Sequence, residues 1–196
     1  MKGAGGSFGI TTQMYFQTFP IPKKVTYFSY NWILNAQKSV QALVAFQYWS
    51  LHFNVPKELG IEHQMKVGPQ QGTLNVTVTG SWYGAPADFE NVVNPLLEYY
   101  PSDRIQIVKV GTYLDSLILQ SDEKTLNTSK PIDPDSFYAK SLVLPEDYPL
   151  SCHAISNLTD VLVKNGSSDL IVSFVIFILG FPSMLIHLCI GLVRCL

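Results

Sequence analysis

The stretch IEHQMKV-GPQQG-TLNVTVTG, residues 61–80, constrains the fold of this chain more than any other. Ile61, His63, Met65 and Val67 recur at every second position, and so do Leu74, Val76 and Val78, with Glu62, Gln64 and a run of threonines between them. Period two marks strands buried on one face, and a Gly-Pro-Gln-Gln-Gly turn joining two such strands makes an antiparallel hairpin. One face of that hairpin must then be covered. Helical spacing supplies the cover. Ala36, Val40, Leu43, Val44 and Leu51 form a stripe on a helix over 35–54 with Asn35 as N-cap, and Phe89, Val92, Val93, Leu96 and Leu97 form one on a helix begun by Pro86 and kinked or divided at Pro95. A short helix near 113–119 and a last one at 151–164 follow the same reading, with further strands at 25–32, 104–110 and 137–144. Ile10 to Gln17 also alternates and predicts a first strand. Helices between strands admit a parallel sheet, but half-polar strands and a tight hairpin favour α+β, an antiparallel β-sheet with helices on one face.

At 196 residues and 47% apolar content the chain can fill one core with some length to spare. A net charge of -2 without a basic run argues against nucleic acid as the partner. Cys152, Cys189 and Cys195 are too few and too badly spaced for a disulfide framework or a zinc site, and His52 and His153 lack a second ligand one helical turn on. No metal site, and no catalytic triad or Cys/His pair, is therefore assigned. Sequons at Asn75, Asn127, Asn157 and Asn165 suggest glycosylation and passage through the secretory route, yet the first twenty residues show no signal peptide, so the parent protein is expected to start upstream. Composition breaks near residue 169. Residues 170–193 hold no Asp, Glu, Lys or Arg, with Gly180 and Pro182 mid-segment and Arg194 beyond. Two readings of the tail, 170–196, stand: a C-terminal apolar helix that crosses a membrane, or sequence not native to the protein.

GAGGSFGITT, residues 3–12, has the look of a dinucleotide loop but fails its test, since Phe8 stands at the third glycine position and no helix follows. Glycines there can still bring backbone close to a cofactor; the alternative is a flexible start before the first strand. With YFSYNW, FQYW and FYAKSL further on, these residues resemble the middle of a fungal berberine bridge enzyme-like flavin oxidase of the vanillyl alcohol oxidase class, and the secreted oligosaccharide oxidases within it. The resemblance covers residues 1 to about 169. It implies that 1–20 close an FAD-binding domain and that 21–169 belong to a substrate domain. It further implies that Gly5, Gly6, Phe8, Gly9 and Ile10 lie along FAD; Thr11 departs from the family's usual aliphatic residue. The implied chemistry is oxidation of a sugar or small-alcohol hydroxyl by FAD, with O₂ as acceptor. The family's flavin attachments and C-terminal catalytic base fall outside this stretch, so the chain alone is expected to be inactive. The alternative is a non-catalytic, membrane-tethered binding module derived from such an oxidase. Glu62 and Gln64, opposite the apolar face of their strand, are candidates to line a sugar groove, against the simpler reading of a solvated sheet face. Tyr138 and Lys140, on one face of FYAKSL, are candidates to hydrogen-bond sugar hydroxyls, and Tyr113 is a third such candidate.

Overall fold

The structure is a computed structural model and describes residues 12, 13, 15–18, 20–121, 129, 136–144, 148–165, 170–177 and 185–194. In chain order the elements are β1 Val25–Asn35, α1 Ala36–His52, β2 Leu59–Val67, β3 Thr73–Trp82, α2 Phe89–Leu97 after a 3-10 turn at Pro86–Asp88, β4 Ile105–Gly111, α3 Tyr113–Gln120, β5 Ser136–Leu144, α4 Cys152–Asn165, β6 Leu170–Phe177 and β7 Leu185–Arg194. The strands form one sheet in the order β4-β1-β3-β2-β6-β7-β5, and every pairing is antiparallel.

Local chemistry explains the central elements. The β2–β3 hairpin closes through Gly72, whose φ of 80° is strained for other residues, and through Thr73, whose hydroxyl donates to the Gln70 carbonyl at 2.7 Å. Asn35 caps α1 as its sequence position requires, its side-chain oxygen accepting from the Lys38 N–H at 2.9 Å. The buried stripe of α1 runs through Ala42, Leu43, Phe46 and Trp49, so it is centred on two large aromatics that the aliphatic spacing missed; Val40 and Val44 flank it. Pro95 does not divide α2, which ends two residues beyond it.

The core lies between one sheet face and helices α1, α2 and α4. Phe28, Tyr30, Trp32 and Leu34 of β1 line that face with Leu74, Val76 and Val78 of β3, Ile61, His63 and Met65 of β2, and Val172 and Phe174 of β6. The hairpin's apolar face is thus the buried one. Tyr100, just past α2, ties the layers together by donating its hydroxyl to the Ala42 carbonyl of α1 at 3.0 Å. Helix α3 is the exception to a one-sided helical layer: Gln120 at its end donates to the Ser81 hydroxyl at 2.8 Å, on the opposite face.

Two sequence expectations are corrected. The described residues of the apolar segment, 170–177 and 185–194, form no helix; they are β6 and β7, which join β2 to β5 in the same sheet. No helix among the described residues is long and apolar enough to cross a membrane. Hydropathy measures polarity and not period, and an interior strand with both faces covered gives the same continuous apolar signal as a membrane helix. Residues Val172, Ser173 and Phe174 are buried in succession, as such a strand requires. The described parts of the tail, 170–177 and 185–194, are strands of the sheet. At the other end, the alternation from Ile10 forms no strand at the described positions 12, 13 and 15–18, where Tyr15 is 88% and Phe16 78% exposed. Alternation without a partner strand leaves the backbone groups unpaired, so the pattern alone does not make a strand.

Gly80 of β3 lies opposite Phe28 and Ile61, and a Cβ there would sit 2.9 Å from the Phe28 ring and collide with the Gly60 carbonyl oxygen. Gly80→Ala is expected to cost about 1–3 kcal/mol by overpacking, read as a lower urea midpoint at unchanged slope. An unchanged midpoint would show that the strands shift apart freely.

Candidate functional site

The face of the sheet turned away from α1, α2 and α4 is polar, and the register explains why. Asn31 of β1 stands opposite Thr77 of β3, Thr77 opposite Gln64 of β2, and Gln64 opposite Ser173 of β6. The next row runs Ser29, Thr79, Glu62, Val175. These are the positions between the core residues, so burying one face places the hydrogen-bonding set on the other. A groove of about 540 Å³ runs over all of these but the buried Ser173. Tyr27, Tyr83 and, from α3, Leu119 and Gln120 bound one end, and Lys66 and Asn75 the other. An adjoining hollow of about 490 Å³ shares Asn31 and Asn75 with it and adds Ile33, Asp103, Arg104 and Ile105.

Part of the groove is held by its own hydrogen bonds. Thr77 donates to the Asn31 side-chain oxygen at 2.6 Å, and the Asn31 amide donates to the Ser29 hydroxyl at 3.2 Å. Thr79 donates to the Phe28 carbonyl at 3.0 Å. Gln120 is placed by α3, whose start is fixed by a reciprocal cap between Thr112 and Asp115. Those hydrogen bonds from Thr112 hold the Asp115 carboxyl below its usual range. By contrast, Glu62, Gln64 and Lys66 make no side-chain hydrogen bond among the described residues, which leaves a carboxylate, an amide and an ammonium on β2 for a ligand. Its imidazole neighbour His63 faces the core. The lining thus offers hydroxyl, amide, carboxylate and ammonium groups, the set that hydrogen-bonds a polar molecule.

Glu62 and Gln64 therefore lie where the alternation predicts, side by side in the groove. Tyr113 opens α3 outside the lining, with its ring 6.4 Å from that of Tyr83. Tyr138 and Lys140 lie on β5, separated from β2 by β7 and β6. Register carries Lys140 through Ile190 to Val172, the row of Met65, so the structure does not bring these two positions into the rows of Glu62 and Gln64. Gly5, Gly6, Phe8, Gly9, Ile10 and Asn127 lie outside the described residues. Of the other sequons, Asn75 lines the groove from mid-β3, Asn157 is exposed on α4 and Asn165 is the last residue of α4. Among the described residues no cluster of metal-ligating side chains occurs. Sequence reasoning missed Ser29, Asn31, Lys66, Thr77, Thr79 and Gln120, although the first five were legible as the outward positions of their strands.

Thr77→Val removes the 2.6 Å hydrogen bond and leaves the half-buried Asn31 oxygen without its donor. A loss of about 1 kcal/mol is expected in chemical denaturation. No loss would mean that water replaces the hydroxyl.

No family model matches the chain. A carbohydrate oxidase of Microdochium nivale is 28% identical over 165 residues, 82% of this chain and 31% of that protein. An FAD-linked oxidoreductase of Metarhizium anisopliae is 33% identical over 175 residues, 85% of this chain and 31% of the relative. Among solved structures, a berberine bridge enzyme-like protein of Physcomitrella patens superposes with a TM-score of 0.74 at 15% identity, over 91% of this chain and 40% of its own. A chitooligosaccharide oxidase gives 0.72 at 19%, over 92% and 40%. The chain thus spans about a third of the length of the curated relatives it matches. Sequence and fold together make it homologous to one portion of the FAD-linked oligosaccharide oxidases, with the fold that this portion takes in berberine bridge enzyme-like proteins.

Proposed function

We propose that this chain carries the substrate-binding sheet of a secreted, FAD-dependent carbohydrate oxidase, with the groove over β1, β3 and β2 as the surface that holds the sugar. The observation that carries this reading is the set of unengaged groups on β2. Glu62 accepts from hydroxyls, Lys66 donates to them and Gln64 does both, the mixture that a polyhydroxylated ligand needs. The groove's volume falls in the range of small-molecule sites. The names of the relatives, which include carbohydrate, chitooligosaccharide and glucooligosaccharide oxidases, support the substrate class.

The described face does not fit the whole cofactor. It offers no helix N-terminus lined by glycine for a pyrophosphate, and its polar floor offers no apolar slot for a flavin. The residues proposed to lie along FAD are Gly5, Gly6, Phe8, Gly9 and Ile10, outside the described set. Bound FAD would supply the two-electron oxidation, with O₂ as final acceptor. The task of the chain's own residues is to bind and orient the sugar, the protein's usual share in cofactor chemistry. Alone, then, the chain binds sugar without oxidising it. Secretion is part of the proposal and is supported by the sequons, of which Asn157 has the exposed side chain a glycan needs.

Titration of the purified chain with chito-, gluco- and xylo-oligosaccharides, followed by calorimetry and amide shifts, tests the groove. Binding is expected with at least one series, weakened severalfold by Glu62→Ala and by Gln64→Ala. Saturation unaffected by either substitution would place the sugar elsewhere, and no binding to any series would overturn the reading. The same preparation is expected to show no flavin absorbance after gel filtration, since one edge of a site does not enclose a cofactor. A yellow protein would contradict this.

A further inference from the structure

Beneath the groove, on the same strand as Glu62 and Gln64, His63 is wholly enclosed, with 0% exposure. Neither of its ring nitrogens has a hydrogen-bond partner among the described residues. Its surroundings are aromatic: Phe46 of α1 at 5.3 Å between ring centroids, Tyr100 at 6.2 Å and Phe174 of β6 at 6.3 Å. An imidazole is a costly group to leave unpaired in such a place, and an imidazolium costs far more. We propose that His63 is an acid latch, an imidazole that the fold tolerates only while neutral, so that taking up a proton requires the helical layer to part from the sheet at β2.

Among the described residues packed around His63, none carries a counter-charge. Helix α1 presents Phe46, Ala42 and Leu43 to the core, β3 presents Val76 and Val78, β6 presents Val172 and Phe174, and α4 presents Ile155, Thr159 and Leu162. Tyr100 is the one titratable group in contact, and burial pushes its pKa well up, so it stays neutral and offers no counter-charge. Its proton is already committed to the Ala42 carbonyl. The row of His63 runs through Val78 to Tyr30, two strands or about 10 Å away. There the Arg104 guanidinium lies 5.3 Å from the centroid of the Tyr30 ring, and Glu90 acts on Tyr30 from a distance. Glu62, Gln64 and Lys66 of β2 itself belong to the other face.

Burial accordingly lowers the His63 pKa from 6.5 to about 3. In the unfolded chain the imidazole takes its proton near 6.5, whereas in the fold it does not until about 3. The stability it permits is present above pH 6.5 and lost progressively as pH falls between those values. Over that window His63 alone raises the unfolding constant about tenfold per pH unit.

The test is urea denaturation of the full chain from pH 7 to pH 4, with His63→Leu and His63→Phe beside the wild type. Both variants are expected to lose this dependence, so that the wild-type unfolding constant rises about 70-fold more than theirs between pH 6 and pH 4. Equal pH dependence in all three would overturn the proposal. Should neither variant fold, imidazole nitrogen shifts of the wild type decide it. A ring that stays neutral for as long as the amides of α1 and β2 keep their folded shifts, and takes its proton as they lose them, supports the latch, and one that titrates near 6.5 in the folded protein refutes it.

Discussion

The register of β1, β3, β2 and β6 is the constraint on which the rest depends. Antiparallel pairing fixes which residues stand side by side, and alternation then decides in one step both what is buried and what is offered. Tyr30, Val78, His63 and Phe174 form one row on the helix side, and Asn31, Thr77, Gln64 and Ser173 the adjacent row on the other. A slip of one residue between β2 and β3 would exchange the two sets and abolish core and groove together. Gly80, which lets β1 and β2 crowd against β3, and Gly72, which closes the hairpin, keep that slip from occurring.

Much of this was legible because it is local. The cap at Asn35, the hairpin and the periods of β2 and β3 depend on neighbours in sequence, and the structure reproduces them. What failed depends on distant partners. Residues 170–193 read as a single apolar block because β6 and β7 owe their identity to β2 and β5, more than thirty residues away in sequence, and hydropathy carries no record of them. The alternation after Ile10 failed in the opposite sense, with a strand pattern present and no partner beside its described residues.

The site divides in the same way. Glu62 and Gln64 were legible as the polar half of an alternation. That Asn31, Thr77 and Lys66 join them needed the strand order, since β1 and β3 lie side by side although α1 and β2 separate them in sequence. The position of FYAKSL in the sheet was not legible, because a strand's own residues say nothing of its distance from another. Two intervening strands and the register keep Tyr138 and Lys140 out of the rows of Glu62 and Gln64.

The sheet is open at β4, where Ile105 is 73% and Val110 53% exposed, with Ile107 and Val108 between them. One side of this strand pairs with β1, while the other pairs with no strand among the described residues and carries apolar side chains on both faces. Such an edge is a template for strand addition. Lys109 supplies its one interruption by charge. Charge is the usual guard on such an edge, so a second lysine at Ile107 would add to the protection Lys109 gives without touching the core.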